Sequence, residues 1–149
     1  MAKFTALFES ETCTRCGGSG QYSYCQTYGT RCFKCGGTGV QLTKRGHVAQ
    51  AFYISLLSVP ARELKVGDWY RDTVDGKNRK ITAIKAPVHP NQPGELILDS
   101  ADFGWYVGPD TLVRRVLPQA EREVLIAQAR AFQDTLTKAG KPRAARSRK

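Results

Sequence analysis

The chain of 149 residues lacks a long apolar segment. Its longest one, residues 49–59, is interrupted by Gln50, Ser55 and Ser58. A membrane-spanning helix needs roughly 20 mostly apolar residues, so we expect no membrane segment. The first residues also lack the apolar core of a secretory signal. We therefore expect a cytoplasmic protein, in a compartment where cysteines stay reduced.

Sequence signatures of catalysis are also missing. The chain has no nucleophile motif, no glycine-rich phosphate loop before a helix and no dinucleotide fingerprint. Of its two histidines, His89 has no evident partner and His47 is expected at a helix start or in solvent. The aspartates follow no metal-loop or acid–base spacing. We therefore expect that the chain is not an enzyme and has no small-molecule substrate.

What the chain does contain is a short repeat rich in cysteine and glycine. Two Cys-x-x-Cys pairs, at residues 13–16 and 32–35, are each followed by Gly-Gly-Ser/Thr-Gly, and 15 residues separate the pairs. A two-residue spacer lets both thiolates of a pair face one centre, and the glycines let the chain fold back around it. Four sulfurs form the closed ligand set of a structural zinc site, with no open catalytic position. We expect one structural Zn²⁺ on Cys13, Cys16, Cys32 and Cys35.

Two alternatives would use the same four cysteines. Disulfide bonds would need an oxidising compartment, and a thioredoxin-like redox motif has one Cys-x-x-Cys rather than two. Zinc is favoured over both. The fifth cysteine, Cys25, is expected to be a free thiol, and His47 would be a ligand only in place of a missing cysteine.

The doubled Cys-x-x-Cys-x-Gly-x-Gly of residues 13–39 resembles the cysteine-rich zinc domain of DnaJ-type co-chaperones. In that family two such repeats clamp each zinc, and the full domain has four repeats and two zincs. Two repeats imply one site here. The chain lacks the His-Pro-Asp tripeptide by which the family's J domain engages its partner chaperone. The resemblance therefore implies a zinc module, and co-chaperone activity does not carry over.

The net charge of +10 is unevenly distributed. Residues 1–47 carry +4, residues 48–137 carry zero and residues 138–149 carry +6. A basic, apolar-poor tail is expected to be disordered and to attract phosphate groups. It would contact nucleic acid through Lys141, Arg143, Arg146, Arg148 and Lys149. The alternatives are a solubilising tail and one that binds an acidic protein.

The zinc module contains the one cluster of aromatic and basic residues that the sequence suggests. Its members are Arg15, Tyr22, Tyr24, Tyr28, Arg31 and Lys34. Aromatic faces and arginine planes suit unpaired bases, so we expect Arg15, Tyr22, Tyr24, Arg31 and Lys34 to contact nucleic acid. The alternative is that the tyrosines cover the metal in a module with little other apolar material.

The remaining pattern predicts an α+β fold. Helical spacing of apolar residues precedes Pro60 and follows Pro118, whereas about five short strands with turn signals lie between them. The Leu-x-Val-Gly-Asp of residues 64–68 is similar to the start of small barrels of the Src-homology or Tudor type, and Trp69 and Trp105 are expected in the core. The predicted parts are a zinc-binding module (1–45), a linking helix (46–60), a small five-stranded antiparallel barrel (61–117), a carboxy-terminal helix (118–139) and a disordered basic tail (140–149).

Together these features predict a non-enzymatic, zinc-binding accessory or regulatory protein. It would bind DNA or RNA through the basic tail and the zinc module. The alternative is a protein-interaction module, such as an adaptor or an inhibitor of a host or partner enzyme. A small basic chain with a zinc knuckle would suit a phage-encoded protein of this kind. The zinc knuckle and barrel would then form its docking surface.

Overall fold

The computed structural model describes residues 7–22, 29–85, 96–101 and 104–143. These residues form two α-helices and nine short strands. The chain divides into two compact units, unit 1 (Met1–Phe52 and Ile126–Lys149) and unit 2 (Tyr53–Leu125). Helices combined with several small antiparallel sheets confirm the predicted α+β class.

The elements follow one another with short connections. In chain order they are β1 (Ser10–Thr12), β2 (Val40–Leu42), α1 (Lys44–Leu57), β3 (Ser58–Pro60), a 3-10 helix (Ala61–Glu63), β4 (Trp69–Arg71), β5 (Asn78–Lys80), β6 (Ala83–Lys85), β7 (Leu96–Asp99), β8 (Gly104–Val107), β9 (Leu112–Arg114) and α2 (Gln119–Asp134). Neither helix in this described part of the chain has the length and apolar character needed to cross a bilayer.

The linking helix begins earlier and ends earlier than the predicted 46–60. Thr43 caps it, because its Oγ1 accepts a hydrogen bond from the N–H of Gly46 at 3.1 Å, which satisfies one of the free donors of the first turn. The helix α1 therefore starts at Lys44. At its other end, residues 58–60 leave the helix and pair with β9 as strand β3.

In unit 1, hydrogen bonds and an ion pair fix the segment that leads into the cysteine repeat. Arg45 forms an ion pair with Glu9 at 2.9 Å and donates to the carbonyl of Gln133 at 3.0 Å. The Glu9 N–H donates to Oε1 of Gln133 at 2.8 Å. Gly46 permits this approach, since a Cβ there would lie 2.0 Å from the Glu9 carbonyl oxygen. The base of the repeat is thus anchored to α1 and to the end of α2.

Unit 2 holds the remaining seven described strands in three small antiparallel sheets. Strand β3 pairs with β9, β4 with β5, and β7 lies between β6 and β8. The chain changes partner at Ile81 and Thr82, whose N–H groups donate to the carbonyls of Asp68 and Asp99, both at 2.8 Å. Because strands of three or four residues end before a continuous ladder can form, no closed barrel is detected among the described residues.

The core of unit 2 lies between these sheets. It consists of Ala61, Leu64, Tyr70, Ile81, Leu98, Val107 and Val113. Trp105 packs against it with its ring stacked on Tyr70 at 5.8 Å between centroids, as expected. Trp69 does not, because strand alternation turns the neighbour of a buried residue outward, and 47% of its surface is exposed. The prediction that Trp69 fills the core is wrong.

Candidate metal centre and basic surfaces

The four cysteines of the repeat meet at one point of unit 1. Their Sγ atoms all lie within 4.8 Å of one another, with Cys13 and Cys32 4.0 Å apart and Cys16 and Cys35 3.7 Å apart. Cys13 and Cys32 have no exposed surface. The antiparallel pairing of β1 with β2 holds the two ends of this segment together. A cluster of four sulfurs at these distances can hold a metal ion.

The two knuckles are held by the same hydrogen bonds, offset by 19 residues. Cys13 N–H donates to the Gly39 carbonyl, and Cys32 N–H donates to the Gly20 carbonyl, both at 2.9 Å. The hydroxyls of Ser19 and Thr38 donate to the carbonyls of Cys16 and Cys35 at 2.8 and 2.7 Å. The hydroxyl of the Ser/Thr position thus forms a hydrogen bond within each knuckle, and the cysteine N–H groups form hydrogen bonds between the two knuckles.

The glycines of the repeat are required by backbone angle and by space. Gly20 and Gly39 have φ of +75° and +80°, which disfavours residues with a Cβ. A Cβ at Gly20 would lie 2.4 Å from the Gly37 carbonyl oxygen, and one at Gly39 would lie 2.3 Å from that of Gly18. The two knuckles therefore touch backbone to backbone at these glycines.

The surroundings of the sulfurs affect their ionisation differently. Burial opposes ionisation of Cys35, but the N–H groups of Gly39 and Gly37 point at its sulfur and lower the pKa of the thiol to about 6. Burial likewise opposes ionisation of Cys16, whose pKa is nevertheless lowered by N–H groups of Gly20 and Gly18. Burial raises the pKa of Cys32. The second cysteine of each knuckle thus has a lowered pKa, which favours the thiolate, the form that binds metal.

The structure describes four of the predicted basic and aromatic residues of this module, Arg15, Tyr22, Arg31 and Lys34, and all four make contacts within it. The Arg15 guanidinium lies 4.7 Å from the centre of the Tyr22 ring. Lys34 donates to the hydroxyl of Thr14 at 2.5 Å, and Arg31 donates to the Gly36 carbonyl at 2.6 Å. The Arg31 side chain thus packs along the second knuckle, and a Cβ at Gly37 would lie 3.1 Å from the Arg31 side chain. Tyr24, Cys25 and Tyr28 lie outside the described residues.

The basic tail was predicted to start at residue 140, yet Lys141 and Arg143 belong to a folded turn. Thr137 N–H donates to the Lys141 carbonyl at 2.8 Å, and Arg143 N–H donates to the Thr135 carbonyl at 3.0 Å. Leu136, 1% exposed, forms a β-bridge with Pro142. Gly140, with φ of +77°, lies in the turn where the chain reverses direction. Arg146, Arg148 and Lys149 lie outside the described residues.

Some surface residues were missed by the sequence interpretation. Phe33 lies between two of the cysteines and is 57% exposed, beside the predicted contact Lys34. In unit 2, Arg71, Arg114, Arg115 and Arg122 line one cavity. The adjacent pair at 114–115 was a possible signal, but averaging charge over residues 48–137 gave zero and concealed it.

Comparison of the chain with protein-family models, with curated proteins and with solved structures found no match. The functional assignment therefore depends on the residues and their geometry. Among the described residues, the four cysteines are the group whose positions define a chemical site most closely.

Proposed function

We propose that the chain is a zinc-binding protein in which one Zn²⁺ is held by Cys13, Cys16, Cys32 and Cys35. The sulfur cluster carries this proposal. Zinc–sulfur bonds of about 2.3 Å in a tetrahedron put sulfurs about 3.8 Å apart, close to the 3.7 and 4.0 Å separations here. The likeness of residues 13–39 to the DnaJ-type zinc domain agrees with the same assignment.

The metal has a structural role in this proposal. Four thiolates fill a tetrahedral site, which leaves no position for the water or substrate of a catalytic zinc. The knuckles have little apolar material of their own, so the metal replaces a hydrophobic core. Four-thiolate sites also hold iron–sulfur clusters. A colourless protein with about one zinc per chain is expected, and the visible absorption of an iron–sulfur cluster would overturn the zinc assignment.

We propose further that the protein is a non-enzymatic accessory factor that binds nucleic acid. The support is a chain charge of +10 and a knuckle surface that presents Arg15, Phe33 and Lys34. Exposed aromatic rings next to cations suit unpaired bases. The basic residues of 144–149 would add phosphate contacts that are independent of sequence.

The direct test is binding of the zinc-loaded protein to fluorescent single- and double-stranded DNA and RNA over a salt series. Micromolar or tighter binding at physiological salt, with log affinity falling linearly with log salt, is expected. Absence of binding to all four probes would contradict the proposal. The protein-interaction alternative would then be pursued by cross-linking to candidate partners.

Deletion of residues 144–149 is expected to weaken binding without unfolding the protein. It removes three cations, Arg146, Arg148 and Lys149, and keeps the turn that holds Lys141 and Arg143. On a single strand each lost phosphate contact lowers the salt slope by about 0.7, so a drop of about 2 is expected. The slope is measured by fluorescence anisotropy.

The matched control for this deletion is Ser147→Ala, which removes no charge. The triple substitution of Arg146, Arg148 and Lys149 by glutamine should reproduce the deletion. A deletion variant whose affinity and salt slope equal those of the unaltered chain would exclude this segment from the interface.

A further inference from the structure

A second basic surface lies in unit 2, in a region whose total charge is zero. The cavity has a volume of about 200 Å³ and is lined by Tyr53, Leu57, Arg71, Asn78, Arg114, Arg115, Val116, Leu117 and Arg122. We call it the arginine cleft. None of the described residues that line it is acidic. Four arginines thus line one concave space without a carboxylate in its wall.

Strand pairing brings two of the cleft arginines, Arg71 and Arg114, side by side. A bridge pairs Tyr70 with Arg115, and the Val116 N–H donates to the Trp69 carbonyl at 2.7 Å. The same antiparallel register places Arg71 beside Arg114. Like charges directly opposite on neighbouring strands destabilise a sheet. An anion between them would remove this cost.

The cleft arginines take no part in the ion pairs found between described residues. In unit 2 those pairs join Arg62 to Asp110, Arg79 and Lys77 to acidic residues of the turn after β4, and Lys85 to Asp99. The Arg115 Nε is buried and has no hydrogen-bond partner among the described residues. A buried donor left unsatisfied costs stability, but this atom has no accessible surface and is not counted among the anion contacts of the cleft.

The size and chemistry of the cleft favour a phosphate group. Its volume lies below the roughly 300–1,000 Å³ of sites for drug-sized molecules, and arginine forks match phosphate oxygens. A second cavity shares Arg71 and Arg114. It also contains Asp72, which Arg79 neutralises at 3.1 Å. Two adjoining cavities with shared arginines suit successive phosphates of a chain.

An exposed aromatic residue lies beside these arginines. Trp69 and Arg71 are two residues apart on β4, and both point away from the buried Tyr70 between them. Trp69 is 47% exposed, and the opposite residue on β5 is Lys80. A base stacked on Trp69 would leave its phosphate near Arg71.

We propose that the arginine cleft binds backbone phosphates of single-stranded nucleic acid, with Trp69 stacking on a base. This inference depends on the proposed nucleic-acid function and locates part of its interface in unit 2. The cleft makes sequence-independent contacts through its arginines, and Trp69 adds contacts that do not depend on salt.

The test compares two double variants of the full zinc-loaded chain. Arg71→Gln/Arg114→Gln removes the paired cleft charges, whereas Arg62→Gln/Lys65→Gln removes two exposed charges of unit 2 outside the cleft. Binding to a fluorescent oligothymidylate of about 12 nucleotides is measured over a salt series. Loss of two contacts should lower affinity about tenfold or more and the slope by about 1.4. The control should stay within about twofold of the unaltered chain.

Thermal unfolding without nucleic acid separates a lost contact from a lost fold. Removing one or both facing charges should leave the melting temperature unchanged or higher at low salt, because the repulsion between residues 71 and 114 is relieved. A double variant that melts lower and loses binding would be replaced by the single variants Arg71→Gln and Arg114→Gln. A single variant that melts like the unaltered chain and binds more weakly with a lower salt slope would support the cleft, whereas unchanged binding in both would overturn it.

Trp69→Leu should weaken binding about fivefold or more with an unchanged salt slope, since stacking is worth about 1–3 kcal/mol per base. If the cleft double variant binds oligothymidylate as tightly as the unaltered chain does, the cleft is not part of the interface. The proposed function would still stand. Failure of the unaltered chain to bind would overturn both. Stabilisation by inorganic phosphate with no binding of oligothymidylate would overturn the nucleic-acid assignment and identify a free-anion site.

Discussion

Replacing Cys32 by serine is expected to abolish metal binding and to unfold the two knuckles. The sulfur of Cys32 is fully buried against Cys13. A serine hydroxyl does not ionise at neutral pH and is a poor replacement for a thiolate. Loss of an outer-shell partner of a metal costs about 10–100-fold in affinity, and loss of a direct ligand should cost more.

The structural consequence follows from how little else holds the knuckles. Folding of such modules is coupled to metal binding, with apparent binding free energies of about 10–16 kcal/mol. Amide signals of residues 13–39 should collapse to unfolded positions in the Cys32→Ser variant, or after chelation. The core of unit 2 contains none of the four cysteines, so its signals should keep their dispersion. The measurement is a two-dimensional amide NMR spectrum with metal analysis of the same sample.

Cys25→Ser is the matched control, because this cysteine is predicted to be a free thiol. It should retain about one metal ion per chain and an unchanged spectrum. Full metal content in Cys32→Ser, or its loss in Cys25→Ser alone, would show that the ligand set is not the one proposed.

Alanine at Gly20 or Gly39 is expected to disrupt the site almost as strongly, although neither residue is a ligand. The added Cβ would lie 2.4 or 2.3 Å from a backbone oxygen of the other knuckle. Neither backbone can yield easily, since the carbonyls of these glycines accept hydrogen bonds from Cys32 and Cys13. We expect the apparent metal affinity to fall by about 100-fold or more. This is at least as large as the decrease caused by removing an outer-shell partner of a metal. Competition with a chromophoric chelator measures it.

Gly17→Ala is the control for this pair. Gly17 also has positive φ, +58°, but nothing lies within 4 Å of a Cβ built there. It should show only the cost of left-handed backbone, about 1–2 kcal/mol, which is about 5–30-fold in affinity. Equal losses for Gly17→Ala and Gly39→Ala would contradict the contact between the knuckles.

The meeting of the four cysteines was predictable because its pattern is local. Spacing within each Cys-x-x-Cys and the following glycines determine a knuckle, and the repeat itself indicates that the knuckles face each other. The sequence could not indicate that Gly20 and Gly39 meet the opposite backbone, because these contacts, Gly20 with Gly37 and Gly39 with Gly18, form between two separate segments of the chain.

Features that depend on tertiary pairing were predicted less well. The start of α1 at Lys44 depends on a cap by Thr43, and the end of the carboxy-terminal helix at Asp134 depends on the turn that returns to Thr135. Strand content in residues 61–117 was recognised, but closure into a barrel was not detected among the described residues. The exposure of Trp69 depends on strand register. Register also places Arg71 beside Arg114, and charge averaged along the chain does not reveal this pairing.

X-ray absorption at the zinc edge of the purified protein tests the proposed ligand set most directly. We expect about one zinc per chain with four sulfur neighbours at about 2.3 Å and no nitrogen or oxygen neighbour. A shell that includes nitrogen or oxygen, or a protein that is folded at residues 13–39 with no bound metal, would contradict a structural site made of Cys13, Cys16, Cys32 and Cys35.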